Sequence, residues 1–433
     1  MATKIIVLDD DPTGSQTVHG CLLLTRWDVK TLREACDDDA RLFFVLTNTR
    51  GMGARDAAGI TREVCVNLKA ALAGRSDITP IVVSRSDSTL RGHYPVETDA
   101  ISDEIGPFDA HFLVPAFFEG GRITRGSIHY LRMGGREIPV HETEFAKDSV
   151  FAYSHSYLPD YVEEKTRGRI KSRDVERFLL EDLEDCLPRL LALDNNACCV
   201  VDAEKRKDLD RFSESLKQAA SRGKRFLFRS AASLLTSLAD LPPQPVAPED
   251  MSGYSRGKVG AVIVGSHVQK TTLQLEKLLE LQTAVSIEID VDRIASQRDA
   301  LLGETLEKAN AAHADGMIPV VYTSRVERTF PDQAERLAFG DSVSGFLMDV
   351  VRNLPEDLGY LIAKGGITSN DVLSKGLALR TSRVLGQILP GCSVVRCPID
   401  HPRFPDMPVV IFPGNVGDEH ALAEACRRMS GLA

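Results

Sequence analysis

No stretch of the 433-residue chain approaches the roughly 20 consecutive apolar residues that a membrane-spanning helix requires. Basic residues are in deficit. The formal charge is −10 and the isoelectric point is near 5.6, which argues against nucleic acid or an anionic membrane as the main partner but leaves room for a local basic pocket. The nine cysteines include the adjacent pair Cys198 and Cys199 but no CxxC, so neither a disulfide framework nor a zinc site is expected, and a reducing cytoplasm suits them. His129, His141 and His155 form no HExxH, and no GxxxxGK[ST] phosphate loop occurs. "TNTRGMGARD" offers Gly51 and Gly53 but has an aspartate where a dinucleotide fingerprint needs its third glycine. No internal repeat or low-complexity tract is present, and "MATKIIVLDDDPTG" enters a strand at once rather than a secretory leader.

The composition, 43% hydrophobic and 26% charged, is that of a globular protein, and the length exceeds what one ordinary core accommodates. Short apolar runs punctuate the chain: "KIIVL", "CLLL", "LFFVL", "IVVS", "HFLV", "CCVV" and "RFLF", then "GAVIV", "AVSIEI", "IPVVY", "YLIA", "CSVV" and "PVVIF". Between them, "DAAGITREVCVNLKAALAG", "QKTTLQLEKLLE" and "SNDVLSKGLALRTSRVLGQIL" space apolar residues at helical period. This alternation predicts α/β domains with mostly parallel sheets. The stretch "LPPQPVAPEDMSGYSRGK", residues 241–258, reads as a linker. The expected architecture is two α/β domains, 1–245 and 257–433, with a ligand cleft between them.

In open parallel sheets ligands bind beyond the carboxyl ends of the strands, so the residues that follow each apolar run carry the functional signal. "DDDPTGSQ", "TNTRG" and "RSDSTLRG" follow three runs of the first half and supply Asp10, Asp11, Arg50, Ser86, Asp87, Ser88, Thr89 and Arg91. Arginine grips a carboxylate through two parallel bonds and aspartate accepts from hydroxyls, a set suited to a small polyhydroxylated anion. In the second half, Ser266, the run Gly365, Gly366, Ile367 and Thr368, and Gly414 with Asn415 stand at strand ends. Glycines let backbone N–H groups approach a ligand closely, and a helix N terminus favours phosphate.

Asp9, Asp11 and Thr13 also fit the DxDxT of haloacid-dehalogenase phosphatases, with Asp9 as nucleophile and Asp11 as acid/base, although "FGDSVSGF" provides Asp341 without the paired acid that family uses. A wider resemblance competes with it. The set "DDDPTGSQ", "RSDSTLRG", "PAFFEGGRITRG", "VHETEFAKD", "VGSHVQKTT" and "KGGITSNDV", in this order along nearly the whole chain, resembles the four-carbon acid sugar kinase family.

The resemblance implies an N-terminal acid-sugar domain, a C-terminal nucleotide domain, and ATP-dependent phosphorylation of a terminal hydroxyl of threonate, erythronate or an oxidised relative. It implies that Asp10, Arg50, Ser86, Asp87, Ser88 and Thr89 contact the acid, and that Ser266, Gly365 to Thr368, and Gly414 hold ATP. Mg2+ would bridge the phosphates. Arg50 or Arg91 would fix the substrate carboxylate, and Asp10, Asp11 and Asp87 are candidates for orienting or deprotonating the acceptor hydroxyl. The chain departs from the pattern in reading "DDPTGS" where many relatives have Asp-Asp-Leu-Thr-Gly-Ala, and "FPGNVGD" where many have a Lys-Ser-Gly loop. A sugar-acid sensor without turnover remains the non-catalytic alternative, and self-association of the chain is left open.

Overall fold

A computed structural model describes residues 2–325, 328–414 and 416–431. The chain divides into two compact units, 1–243 and 244–433.

The first unit contains β1 (Ala2–Asp9), β2 (Leu22–Leu24), β3 (Leu42–Leu46), β4 (Ile78–Arg85), β5 (Ala110–Val114), β6 (Arg122–Arg125), β7 (Ile128–Met133), β8 (Arg136–Pro139), β9 (Glu176–Phe178), β10 (Ala197–Val201) and β11 (Phe226–Ser230). Eight of them form a parallel sheet in the order β2-β3-β1-β4-β11-β5-β10-β9. Helices on its faces account for the near-continuous apolar runs: all five residues of β3 are buried, as are those of β5 and β11. Helix Ala54–Leu72 turns Ala57, Val64, Cys65, Leu68 and Ala71 inward, at helical spacing. Phe112, Phe178, Phe212, Phe226 and Phe228 interlock in the core with ring centroids 5.4–5.8 Å apart.

Register decides where the loops end up. Asp9 lies opposite both Leu46 and Arg85, and Arg85 lies opposite Ser230, so the chain leaves β1, β3, β4 and β11 at one level. After β5 an antiparallel excursion, β6-β7-β8, leaves the main sheet.

The second unit contains β12 (Ala261–Val264), β13 (Ala284–Ile289), β14 (Ile318–Thr323), β15 (Leu361–Lys364), β16 (Thr381–Leu389), β17 (Cys392–Arg396) and β18 (Pro408–Phe412), in the order β13-β14-β12-β15-β18-β17-β16. The first five strands in that order are parallel, while β17 runs antiparallel to β18 and β16. Two expectations need correction. "SNDVLSKGLALRTSRVLGQIL" is helical only at its start, through Gly366–Asp371 and the wider turn Val372–Gly376, and its second half is β16. There burial alternates with period two around a bulge at Gly386, a pattern that apolar spacing in the full window concealed. The presumed linker is anchored from Gln244 onward. The Gln244 amide donates to the Gln387 carbonyl at 3.1 Å and accepts from the Gln387 N–H at 2.9 Å, and Met251 is fully buried in the second unit's core.

All nine cysteines are buried. No helix among the described residues is long and apolar enough to cross a membrane.

Candidate functional site

The first unit's loops meet over an arginine held by two acids. Arg50 donates from Nη2 and, at 3.3 Å, from Nε to the two oxygens of Asp10, and from Nη1 to Asp11 Oδ2 at 3.2 Å. Ser86 Oγ adds a bond to Asp10 Oδ2 at 3.1 Å. Asp10 is 1% exposed, so its carboxylate faces the protein on all sides. Asp11 Oδ1 accepts from the N–H of Thr13 at 2.9 Å and from its hydroxyl, the side-chain bond that shapes the turn after β1. Gly92, at φ +122°, lets the chain pass where a Cβ would meet Ser86 Oγ and an Arg229 nitrogen at 2.6 Å.

Asp87 differs from the other two candidates. Its Oδ2 accepts from Thr89 Oγ1 and, at 2.8 Å, from Arg91 Nε, whereas its Oδ1 has no donor among the described residues. It lines a small, partly open hollow of about 20 Å³ together with Ser86, Leu90, Arg91, Tyr94, Leu113 and Tyr161. Burial alone would raise its pKa, but Arg50, Arg91 and the two hydrogen bonds hold it well below the usual carboxylate range. Asp11 is likewise held low against burial by Arg50 and Thr13. Both carboxylates are therefore anionic at neutral pH and weakly basic.

The geometry brings Asp10, Asp11, Arg50, Ser86, Asp87, Thr89 and Arg91 into one hydrogen-bonded floor. Ser88 joins it through its carbonyl, which accepts from His129 Nε2 at 2.7 Å, while His129 Nδ1 sits 2.9 Å from Thr124 Oγ1. Burial pushes His129 down to about 4, so the ring is neutral and serves as a fixed donor. Beneath the floor, Arg229 donates to Ser84 at 2.6 Å and to Glu97 at 2.5 Å, and Thr49 donates to the second oxygen of Glu97. Sequence reading passed over Glu97, Arg229 and Arg122, which stand away from the acid-rich loops. The aspartyl-phosphatase reading fails on Asp9. That carboxylate is fully buried, a Cβ on Gly14 would fall 1.8 Å from its Oδ2, and burial raises its pKa to about 8 despite Arg85. A nucleophile needs an open face. Asp341 lies on helix Gln333–Arg352 of the other unit.

In the second unit the glycine-bearing strand ends converge on Ser266. A Cβ on Gly265 would come 2.4 Å from Thr368 Oγ1, one on Gly365 3.0 Å from Ser266 Cβ, and one on Gly414 3.4 Å from Ser266 Oγ. Thr271 Oγ1 bridges Ser266 Oγ and the Gly414 carbonyl at 3.2 and 3.1 Å. Gln274 clamps the Val416 and Asp418 carbonyls at 2.9 and 2.7 Å. Gly366 has open space where a Cβ would stand, and Ile367 is 74% exposed, so this stretch is open to solvent. Asn415 lies outside the described residues. Two basic side chains reach these loops with no acid in ion-pair range among the described residues: Arg325 donates to the Ser266 carbonyl at 2.8 Å and to Thr272, and the fully buried Lys364 donates to the carbonyls of Pro413 at 2.6 Å and Gly414 at 3.1 Å. Positive charge beside glycine-bearing strand ends is chemically suited to an anion.

Gly365 sits at φ +119°, outside the range other residues adopt readily. Gly365→Ala is expected to add about 1–3 kcal/mol of strain, measured as a lower unfolding midpoint of the second unit. Burial lowers Lys364 to about 7. Between there and the ordinary lysine value near 10.5 the folded chain binds fewer protons than the unfolded one, so this group makes stability rise with pH across that window, by at most about 1.4 kcal/mol per pH unit. Lys364→Met is expected to remove the rise, measured as the second unit's unfolding midpoint between pH 7 and 10.

Comparison with known proteins follows the same division of the chain. Residues 5–238 match the sugar-binding N-terminal domain family, and residues 261–422 match the nucleotide-binding C-terminal domain family. The chain is 23% identical over 442 aligned positions to D-erythronate kinase of Heliobacterium modesticaldum, covering 97% of this chain and 95% of that one. It is 30% identical over 161 positions to D-threonate kinase of Bordetella bronchiseptica, covering 35% and 37% of the two chains. Among solved structures, a Salmonella typhimurium LT2 protein superposes with a TM-score of 0.69 at 17% identity, over 98% of this chain and 99% of that one. Haemophilus influenzae protein HI1011 does so with a TM-score of 0.64 at 18% identity, over 98% and 100%. These two likenesses concern the fold.

Proposed function

The chain belongs to the four-carbon acid sugar kinase family, and from that premise we propose that it transfers the terminal phosphoryl group of ATP to a terminal hydroxyl of threonate, erythronate or a keto relative. The observation that carries this reading is Asp87, one carboxylate oxygen locked by Thr89 and Arg91 and the other open beside the pocket.

Phosphoryl transfer demands alignment and charge neutralisation more than a strong base. An acidic carboxylate such as Asp87 suits that demand. Its open Oδ1 accepts the hydroxyl's hydrogen bond, aims the oxygen, and takes the proton as the new O–P bond forms. Asp10 and Arg50, locked to each other, fix the floor that positions Ser86 and Asp87. In the second unit the backbone of Gly365 to Thr368 and Gly414, with Ser266, receives the ATP phosphates, while Arg325 supplies charge. Among the described residues no three metal-ligating side chains are placed to hold an ion. Magnesium arriving with ATP would supply charge neutralisation of the transferring group.

The test is ADP formation by the purified chain with Mg-ATP and, in turn, D- and L-threonate, D- and L-erythronate and their keto forms, with the ester located by phosphorus-31 NMR. One acid is expected to drive ADP formation and to carry phosphate on its terminal carbon. ADP formation indifferent to every acid would remove the proposal.

A further inference from the structure

The floor described above carries three acids, Asp10, Asp11 and Asp87, against two arginines, Arg50 and Arg91, and both arginines are spent on those acids. Arg91 also faces Asp148 at 3.6 Å. An incoming carboxylate that sought Arg50 would have to enter a set already negative in sum and compete with two carboxylates for one guanidinium. Both desolvation and like-charge repulsion oppose that.

Arg122 is different. It opens β6 after the turn at Gly120 and Gly121, and its Nη1 donates to the Gly120 carbonyl. Its guanidinium lies 6.0 Å from the Phe117 ring centre and 5.9 Å from that of Phe145, the same ring that Arg91 faces at 5.0 Å. No carboxylate comes within ion-pair distance of it among the described residues, and its buried Nε has no hydrogen-bond partner. Burial weakens its hold on its proton, and the charges that act on it are Asp87 and Arg91, so it stands at the edge of the same site. Aromatic rings within about 6 Å stabilise a cation modestly. The Gly120 carbonyl takes Nη1, and among the described residues Nε and Nη2, one edge of the fork that reads carboxylates, have no acceptor.

Resting on the proposed function, we infer that Arg122 is the specificity-determining residue that receives the carboxylate of the sugar acid, with Arg50 and Arg91 holding the floor in place. A purely structural Arg122 would brace Phe117 and Phe145 through its stem, so the experiment has to separate the two roles.

Arg122→Gln and Arg122→Lys are compared with the wild type on the preferred acid and on the corresponding tetritol, which carries a hydroxyl in place of the carboxylate. In Arg122→Gln the KM for the acid is expected to rise by roughly 100-fold with kcat within a few-fold, since a lost charged hydrogen-bond pair acts on binding. The wild-type preference for acid over tetritol is expected to collapse while ATP affinity and the thermal midpoint hold. Arg122→Lys keeps stem and charge but not the planar fork, and is expected to fold and fall between the two. An unchanged KM, a loss confined to kcat, or a preserved preference for acid over tetritol would overturn the inference. Should Arg122→Gln fail to fold, a wild-type KM in Arg122→Lys would overturn it and a raised one would support it. A wild type inert toward every acid would instead withdraw the function on which the inference rests.

Discussion

Asp87→Asn is expected to reduce kcat by about 10²–10⁴-fold while both substrates still bind, because asparagine keeps the shape of the side chain but cannot take a proton. The magnitude follows from the open Oδ1, the one carboxylate oxygen of the three candidate aspartates that is near the pocket and without a protein donor. Asp10→Asn would act otherwise. Asp10 has both oxygens engaged and no open face, so its loss is expected to appear as instability first. Single-turnover phosphate transfer, with acid and nucleotide affinities titrated separately, distinguishes the two outcomes. Near-normal turnover by Asp87→Asn would move the acceptor role elsewhere.

The second large effect concerns Arg50. Arg50→Gln leaves Asp10, 1% exposed, without the guanidinium that both of its oxygens touch. Breaking one side of a buried pair costs about 3–5 kcal/mol, because the orphaned charge stays buried. Arg50→Lys is expected to recover only part, since one ammonium cannot span Asp10 and Asp11 together as the planar fork does. The loss should appear in the urea transition of the first unit and leave that of the second unmoved, and a two-unit chain has to be fitted as two transitions. Combining Arg50→Gln with Asp10→Asn is expected to restore a part of the stability, the sign of a direct interaction between neighbours. Equal destabilisation of both units would show that Arg50 acts through something other than this pair.

Much of the fold can be read along the chain because buried parallel strands announce themselves as unbroken apolar runs. "LFFVL", "IVVS" and "GAVIV" became β3, β4 and β12 with few shifts in their bounds. Strands of mixed polarity gave no such signal. β6 to β9 alternate arginine, glutamate and histidine with single apolar residues and lie outside every run that was noted. β16 was concealed by leucines that fit helical spacing until the bulge at Gly386 is known.

The site shows the same limit. Which loops face one another follows from strand order, and the acids, arginines and hydroxyls at their ends were legible from that rule. Which aspartate is locked and which is open depends on partners from the loops after β3 and β4, separated from Asp10 by 40 and 76 positions. Lys364 reads as the polar end of a strand, yet it is fully buried under the Pro413–Gly414 turn. Arg122 sits in the quoted stretch "PAFFEGGRITRG", but only its aromatic surroundings reveal a cation without an anion.

We propose that the acid and the nucleotide occupy separate sites, one in each unit. Titration of the intact chain with the acid that drives ADP formation, in the absence and presence of a saturating non-hydrolysable ATP analogue, tests it most directly. One acid site of unchanged stoichiometry in both titrations, weakened roughly 100-fold by Arg122→Gln and untouched by Gly365→Ala, is the predicted result. Expulsion of the acid by the analogue, with both ligands lost on changing Gly365, would place them in one site and contradict the account.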